Sequence, residues 1–521
     1  MSVFDRFVKR MDPRKRSEFF RRALRNSSWN TLDYLILPLL FLVATPFLIA
    51  KLGTEQFGIW MLVNALTGAL GIMHFGLGDA TIKYASAYRA RSDWESVVRV
   101  IRSTQTIYGI LGLISGVSLW VAAPLLAQHA FKIGPAHHLL AVSAIRIGGV
   151  GLGLRFLNSV FAGALQGFER YDLSARVNIV VKGLTIGAIV AAAAMGHGIR
   201  MVLWISVGFS AAGTLVFALV LRSLIPHLSF WPMLHRKSLR EVFGFGFYTW
   251  LQAIAGTIFS QADVLLVGGL LGTAAVTYYS VCQRVAMQIH STLAASCAFL
   301  FPMSSGALEL GGIYPLRKLY MRSLNLIVVL STVLGTPLFL FSGSILTFWL
   351  GADFAVHGSN VLRVLTFGYA MLAVSIVPHN ILNGTGHVRA NTILSWSSLI
   401  VAVAGVFAFT PAFGLVGVAW AKVLNVAPLI AAMIFLQRRV LGAKSTTSIV
   451  APFLPAICLF GAALAAIRLH GDFHPNKLTS LASMIVLSMI GAAALGFSIQ
   501  RMIGLHRVSS ECELGQWQKH S

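Results

Sequence analysis

An all-α polytopic membrane protein of about fourteen transmembrane helices is the fold class that the sequence predicts: two six-helix lobes and two extra C-terminal helices. Three observations predict it. Apolar residues make up 56% of the 521 and charged residues only 11%, with a mean hydropathy of +0.76. A soluble chain cannot hide that much apolar surface, whereas a bilayer solvates it. Apolar runs of spanning length, about twenty residues, recur along almost the whole chain. Finally, short motifs return in the second half at a nearly constant offset, the mark of an internal repeat.

Taken in order, the apolar runs place spans 1 to 6 near 28–51, 56–78, 104–128, 138–165, 174–194 and 200–222. Spans 7 to 12 follow near 243–270, 274–305, 320–342, 359–384, 391–410 and 412–437, and spans 13 and 14 near 448–467 and 479–500. The runs at 138–165 and 274–305 are longer than a bilayer needs, which predicts tilted or broken helices. The organisation that results is a basic N-terminal segment (1–27), an N-lobe (28–222), a basic linker (223–242), a C-lobe (243–437), spans 13 and 14 (438–500) and a tail (501–521). The linker contains "SFWPMLHRKSLREV". Pro38 and Pro46 in span 1, and Pro337, Pro378 and Pro428 later, are positions where a spanning helix can kink.

The Lys and Arg residues set the orientation. Of 41, five lie on one side (Lys51, Lys132, Arg200, Arg468, Lys477) and five fall well within spans (Arg146, Arg155, Arg284, Arg363, Lys422), leaving 31 on the side of the N-terminus. Both termini are therefore expected in the cytoplasm, in agreement with an even number of spans. The net charge of +24 is then that of topology determinants and headgroup contacts, not of a nucleic-acid-binding surface.

The same reading excludes several functions. Cys282, Cys297, Cys458 and Cys512 have no metal-ligand or redox spacing. There is no Gly-Lys dipeptide, hence no phosphate-binding loop for ATP-driven transport. The N-terminal "KRMDPRKRSEFFRRALR" precedes an apolar run too long for a signal-peptide core, so cleavage is not expected. A membrane enzyme would need a substantial exposed loop or domain for its catalytic groups, and the short outer connections leave little room for one.

The repeat rests on three pairs. "LGTEQFGIW" at 52–60 returns as "LGTAAVTYY" at 271–279, "RSTQTI" from Arg102 as "RSLNLI" from Arg322, and "LQGFER" from Leu165 as "LNGTGH" from Leu382. The offsets are 219, 220 and 217 residues (271 − 52, 322 − 102, 384 − 167). Two lobes of six helices enter the membrane in the same direction, which makes them parallel repeats with a site between them near midplane. In "LGTEQFGIW", Gly53 suits the bend, Thr54 a cap and Glu55 the positive end of the next helix. The partner turn lacks the acid, so no substrate chemistry is expected there.

The turn after span 1, the "FGLGDATIKYASAY" end of span 2 and "LQGFERYD" after span 4 resemble the polysaccharide-transporter family. These are the O-antigen-type flippases of the multidrug/oligosaccharidyl-lipid/polysaccharide exporter superfamily, and the resemblance covers residues 28–437. It implies export of an undecaprenyl-diphosphate-linked oligosaccharide across the inner membrane by alternating access between two lobes. The implied partners are that substrate, the inner-membrane lipids and the glycan polymerase machinery, with no cofactor. A cation-coupled multidrug and toxin extrusion exporter of the same fold is the alternative.

Charged side chains within spans are costly, about 2.5–3.5 kcal/mol at a helix centre, so each invites a role. Arg146, Arg155, Arg284 and Lys422 are the candidates for a cationic cavity that suits a diphosphate, because guanidinium forks pair bidentately with phosphate oxygens. Asp33, Asp263 and His290 are candidates for coupling or ion pairing. Asp263 and Arg284 lie about ten residues either side of the span 7–8 turn, at matching depth, so a structural pair is as open as a substrate role. Asp33 also fits an interfacial N-terminal acid, and His290 a hydrogen-bonded interior histidine. Arg363 and Lys182 are close enough to span ends to snorkel. Arg146 and Arg155, nine apart, point to opposite faces of a regular helix. The intervening "GGVGLG" leaves room for a distortion that would bring them together.

Overall fold

The computed structural model describes residues 13–74, 77–225, 228–233, 247–442, 460–461, 463–465, 482–491 and 493. Among them no strand occurs. The helices are α1 (Pro13–Leu70, with arms on either side of Gly53), α2 (Leu77–Ala90), α3 (Trp94–Leu125), α4 (His138–Gly167), α5 (Tyr171–Ala194), α6 (Ile199–Leu224), α7 (Phe247–Leu270) and α8 (Thr273–Ser296). They continue as α9 (Leu300–Gly311), α10 (Ile313–Leu340), α11 (Ser342–Leu350), α12 (Ala352–Ala373), α13 (Ile376–Gly384), α14 (Val388–Val423) and α15 (Val426–Phe435).

Nine helical stretches among the described residues are long and apolar enough to cross a bilayer, and ten if the bent pair α8–α9 is one span. Spans 1 to 12 all fall on them, because Pro38–Leu70 carries spans 1 and 2, and Val388–Val440 carries spans 11 and 12. Each of these double stretches turns at a glycine in a backbone region that other residues avoid: Gly53 (φ 76°, ψ 164°) and Gly414 (φ 55°, ψ −131°). Span 2 ends earlier than expected, at Leu70, and resumes as α2. Span 3 begins ten residues earlier, because Asp93 caps it through a bond from the Ser96 backbone N–H (3.0 Å). The long run at 274–305 is broken, with a 42° bend between α8 and α9. Most of spans 13 and 14, like the tail, lies outside the described residues. Phe460, which is described, packs edge-on against Phe339 and Phe367.

The described residues form two compact units that meet in the chain at Thr277 and Tyr278, within α8. In the first, α3 and α4 run at backbone contact. A Cβ on Gly112 would lie 3.0 Å from Gly153 Cα, and one on Gly116 would lie 2.9 Å from the Gly149 carbonyl. Small residues four apart on both helices are what let membrane helices close to this distance. The "GGVGLG" segment therefore serves packing, and α4 passes through it as one helix from His138 to Gly167. Arg102 Nε and Gln105 Nε2, from "RSTQTI", donate to the carbonyls of Trp231 and Phe230, holding the described part of the linker on α3.

The turn at "LGTEQFG" is held from several sides. Thr273 at the start of α8 donates its hydroxyl to Glu55, and Thr277 Oγ1 donates to the Thr54 carbonyl (2.6 Å). Gln56 Oε1 accepts the Ile199 N–H at the start of α6 (3.1 Å). Gly58 has no space for a side chain because the Thr273 carbonyl lies over it. The two copies of the repeated turn thus hold each other, and the acid missing from the second copy is the group that binds it.

The second unit is organised around buried Leu316, Tyr320, Leu324, Val374, Val377 and Met433. Among the described residues its spans are interrupted at 297–299, 374–375 and 424–425. Large apolar side chains such as Leu113, Val121, Leu219 and Ile400 stay exposed on the helices, as befits a surface solvated by lipid tails.

Candidate functional site

In the second unit, buried polar groups lie beside the breaks in its spans. Interrupted helices free backbone groups that must be satisfied by neighbours or by a lined cavity, which is why transporters build sites there. Lys422 is buried two residues before the break at Leu424–Asn425. Asn425 Nδ2 reaches back to the Lys422 carbonyl (3.3 Å), while its Oδ1 is buried with no hydrogen-bond partner in the protein. Gly368 on α12 leaves the room in which the Lys422 stem packs, 3.4 Å from where a Cβ would stand.

His290 on α8 lies within electrostatic range of Lys422 and of His379 on α13. Three of this unit's broken spans therefore each contribute one cationic or titratable group to one neighbourhood. His379 in turn belongs to a network at the α13–α14 turn. Asn391 Nδ2 lies 3.0 Å from His379 Nδ1 and donates to the His379 carbonyl (3.2 Å) and to Asn383 Oδ1 (2.9 Å). That carbonyl can only accept, so it fixes which way the Asn391 amide points. Reading the sequence singled out His290 and Lys422 but missed His379, Asn383 and Asn391. The available signal was "PHNILNG", where His379 and Asn383 stand one turn apart directly after a proline.

Arg284 lies deep in the protein on α8 and still keeps accessible surface. Arg363, by contrast, is engaged structurally: its Nε donates to the Phe339 carbonyl at the end of α10 (3.4 Å) and its NH1 group to Asn360 Oδ1 (2.9 Å). A cation there complements the helix terminus.

In the first unit, Arg146 and Arg155 stand on opposite sides of α4, as its regular geometry requires. The Arg146 guanidinium stacks over the Trp120 ring of α3 (5.3 Å), and its Nε is buried without a hydrogen-bond partner. Arg155 keeps an exposed side chain in mid-helix although protein surrounds it on most sides. Asp263 on α7 is buried. It belongs to the first unit and Arg284 to the second. Asp33 lies on the α1 backbone, and its side chain is outside the described residues. No cluster of three or more metal-ligating side chains occurs among the described residues.

The "Putative O-antigen transporter" of Shigella flexneri is 24% identical over 76% of this chain and 93% of its own length. The "Uncharacterized membrane protein EpsK" of Bacillus subtilis is 24% identical over 68% of this chain and 70% of its own. Among solved structures, an inward-facing multidrug resistance MATE transporter of the MOP superfamily superposes with a TM-score of 0.66 at 18% identity, covering 78% of this chain and 96% of its own. A MOP superfamily transporter from Pyrococcus furiosus, described as having a binding pocket of reversed polarity, gives 0.52 at 17% identity, covering 82% and 95%. The fold is that of the MOP superfamily transporters. With its pattern matched over residues 23–307, more than half of its length, the chain belongs to the polysaccharide biosynthesis protein family.

Proposed function

We propose that this protein moves a lipid-linked oligosaccharide, with an undecaprenyl diphosphate carrier, across the bacterial inner membrane. The glycan is a repeat unit of O-antigen, capsule or exopolysaccharide, and both termini are cytoplasmic. The two lobes predicted from the repeat alternate in exposing the site to either side. One observation carries this reading: the charges held within the spans are overwhelmingly cationic. Lys422, Arg284 and Arg155 suit a diphosphate electrostatically, and Arg146 adds a fourth positive group on α4. They would repel the cationic drugs that a multidrug exporter handles, and Asp263 and Asp33 are the only acids available for coupling to a cation. His290, beside Lys422 and His379 in the second unit, is the sequence's remaining candidate for coupling. Membrane lipids surround the protein, and the glycan polymerase machinery receives what it delivers.

The test is complementation of a deletion strain with Arg155→Ala, Arg284→Ala and Lys422→Ala. Each variant reaches the membrane at the normal level, and surface glycan is lost while undecaprenyl-linked intermediates accumulate inside. Wild-type glycan in all three single variants would sink the cationic-site reading.

A further inference from the structure

On the side opposite the basic connectors, the α3–α4 connection borders an open cleft of about 910 Å³ whose polar lining includes Gln128, His129, Lys132 and His138. The charge bias makes this the outer side. Lys132 and Arg200 are two of only five basic residues assigned there, so a cation here runs against the topology signal. Arg200 is bonded to Ser143 on α4 (Nε to Oγ, 3.0 Å). No acid is among the lining residues.

The walls are built rather than loose. α3 ends in a widened turn, Leu126–Ala130, of a kind frequent at functional sites. The Lys132 backbone N–H donates to the Gly268 carbonyl (3.0 Å), and Lys132 Nζ donates to the Leu270 carbonyl at the end of α7 (2.8 Å). Gly269 has room only for hydrogen, since a Cβ would lie 2.8 Å from the Ala130 carbonyl. These contacts hold the ammonium at the cleft. His138 opens the 30-residue α4, its backbone N–H taken by the Pro135 carbonyl of the short turn before it. Its Nε2 is buried and has no hydrogen-bond partner in the protein. Just below, Leu125 and Leu139 are 61% and 78% exposed. The cleft therefore sits where an apolar, lipid-facing surface gives way to cationic and imidazole groups.

We propose that this cleft seats the phosphate of an anionic phospholipid of the outer leaflet. Lys132 supplies charge, keeping one donor on Leu270 and turning the others to the phosphate. The His138 Nε2–H donates to its oxygens. The acyl chains lie along Leu125 and Leu139. The proposal does not depend on the transported substrate.

Native mass spectrometry of the full-length protein, with phosphatidylglycerol or phosphatidylcholine of identical chains, tests it. Wild type retains one phosphatidylglycerol at collision energies that strip phosphatidylcholine. Lys132→Gln, which keeps a donor for the Leu270 carbonyl but removes the charge, loses about fivefold in retention. Combining it with His138→Leu removes the preference, with melting in phosphatidylcholine unchanged. Should the double variant fail to fold, Lys132→Gln alone carries the test. Equal retention of the two lipids by wild type, or undiminished phosphatidylglycerol retention in Lys132→Gln, would overturn the proposal. So would selective retention of a polyprenyl diphosphate with none of phosphatidylglycerol, which would make the cleft a substrate exit.

Discussion

At the α4–α5 turn, Gly167 lies against Ile82 and Ala85 of α2; at the α13–α14 turn, Gly384 lies against Phe301 and Ser304 of α9. The contacted residues are themselves 219 apart (301 − 82, 304 − 85), the offset of the repeated turn at 52 and 271. Two residues after each glycine the backbone takes a positive φ, at Glu169 (58°) and at Gly386 (83°). The backbone device is duplicated, yet the side chains around it differ. The first turn is an ionic and aromatic knot: Arg170 pairs with Asp172 (3.2 Å), Arg89 stacks over Phe168 (5.4 Å) and Trp94 lies along the same ring (6.1 Å). The second is the His379–Asn383–Asn391 network. The difference teaches that the motif is a packing joint. What each unit can recognise is written in the side chains that the joint leaves variable.

The strongest way to break the comparison is to add a methyl group at both joints. A Cβ on Gly384 would collide with Ser304 Oγ and come within 2.6 Å of the Phe301 carbonyl, which is backbone and cannot swing away. One on Gly167 meets the Ile82 carbonyl at 3.1 Å and Ala85 Cβ at 3.0 Å, which is tight but not impossible. Gly384→Ala is therefore expected to cost about 3 kcal/mol and Gly167→Ala about 1 kcal/mol, read as thermal unfolding in detergent. Adding Ser304→Ala recovers only part of the Gly384→Ala loss, because the Phe301 carbonyl stays. Equal losses at the two glycines would mean that the joints are not built as described.

The second contrast is between a neutral network and an ion pair. Asn391→Ala leaves the His379 carbonyl and Asn383 Oδ1 without this buried donor, a loss of about 2 kcal/mol that added salt does not change. Asp172→Asn weakens a pair in which Arg170 is 40% exposed, so about 1 kcal/mol is expected, shrinking as salt screens the wild-type pair. Melting curves at low and high ionic strength separate the two. A salt-dependent Asn391→Ala effect would count against the neutral network.

What the sequence made legible follows from the range of each interaction. Spans 3 to 7 were readable because bilayer crossing imposes one length on every apolar run, and the repeat because a bend needs glycine at Gly53 and again at Gly272. The extension of α3 back to Trp94 was not, since Asp93 and Ser96 write a cap in polar residues that hydropathy passes over. Regular helix geometry puts Arg146 and Arg155 on opposite faces, one of the two arrangements that the sequence left open, while the role of the glycines between them became clear only with Gly112 and Gly116 of the facing helix in view. His379 and Asn391 are twelve positions apart with a turn between them, and no spacing rule links such residues. Nor does any local pattern show that Glu55 meets Thr273, because that contact joins two copies of one motif 218 residues apart.

The finest distinction between the two units is how their third and ninth spans begin. Asp93 caps α3 next to Trp94, the residue that stacks on Phe168, and its carboxylate accepts the Ser96 N–H. The position 219 residues on is Gly312, which begins α10 with no side-chain cap. Hydrogen bonds from Ser96, helped by the charge of Arg99, hold the Asp93 carboxyl below its ordinary pKa. A carboxyl lowered by folding stabilises the native state above the unfolded pKa, and that stabilisation disappears as pH falls through the folded one. Asp93→Asn is therefore expected to melt slightly below wild type at neutral pH, with the gap closing as the buffer drops below about pH 4. The gap arises from the first unit alone, because Gly312 offers the second no titrating counterpart. A gap of constant size from pH 7 to pH 3 would show that Asp93 acts through its shape rather than its charge.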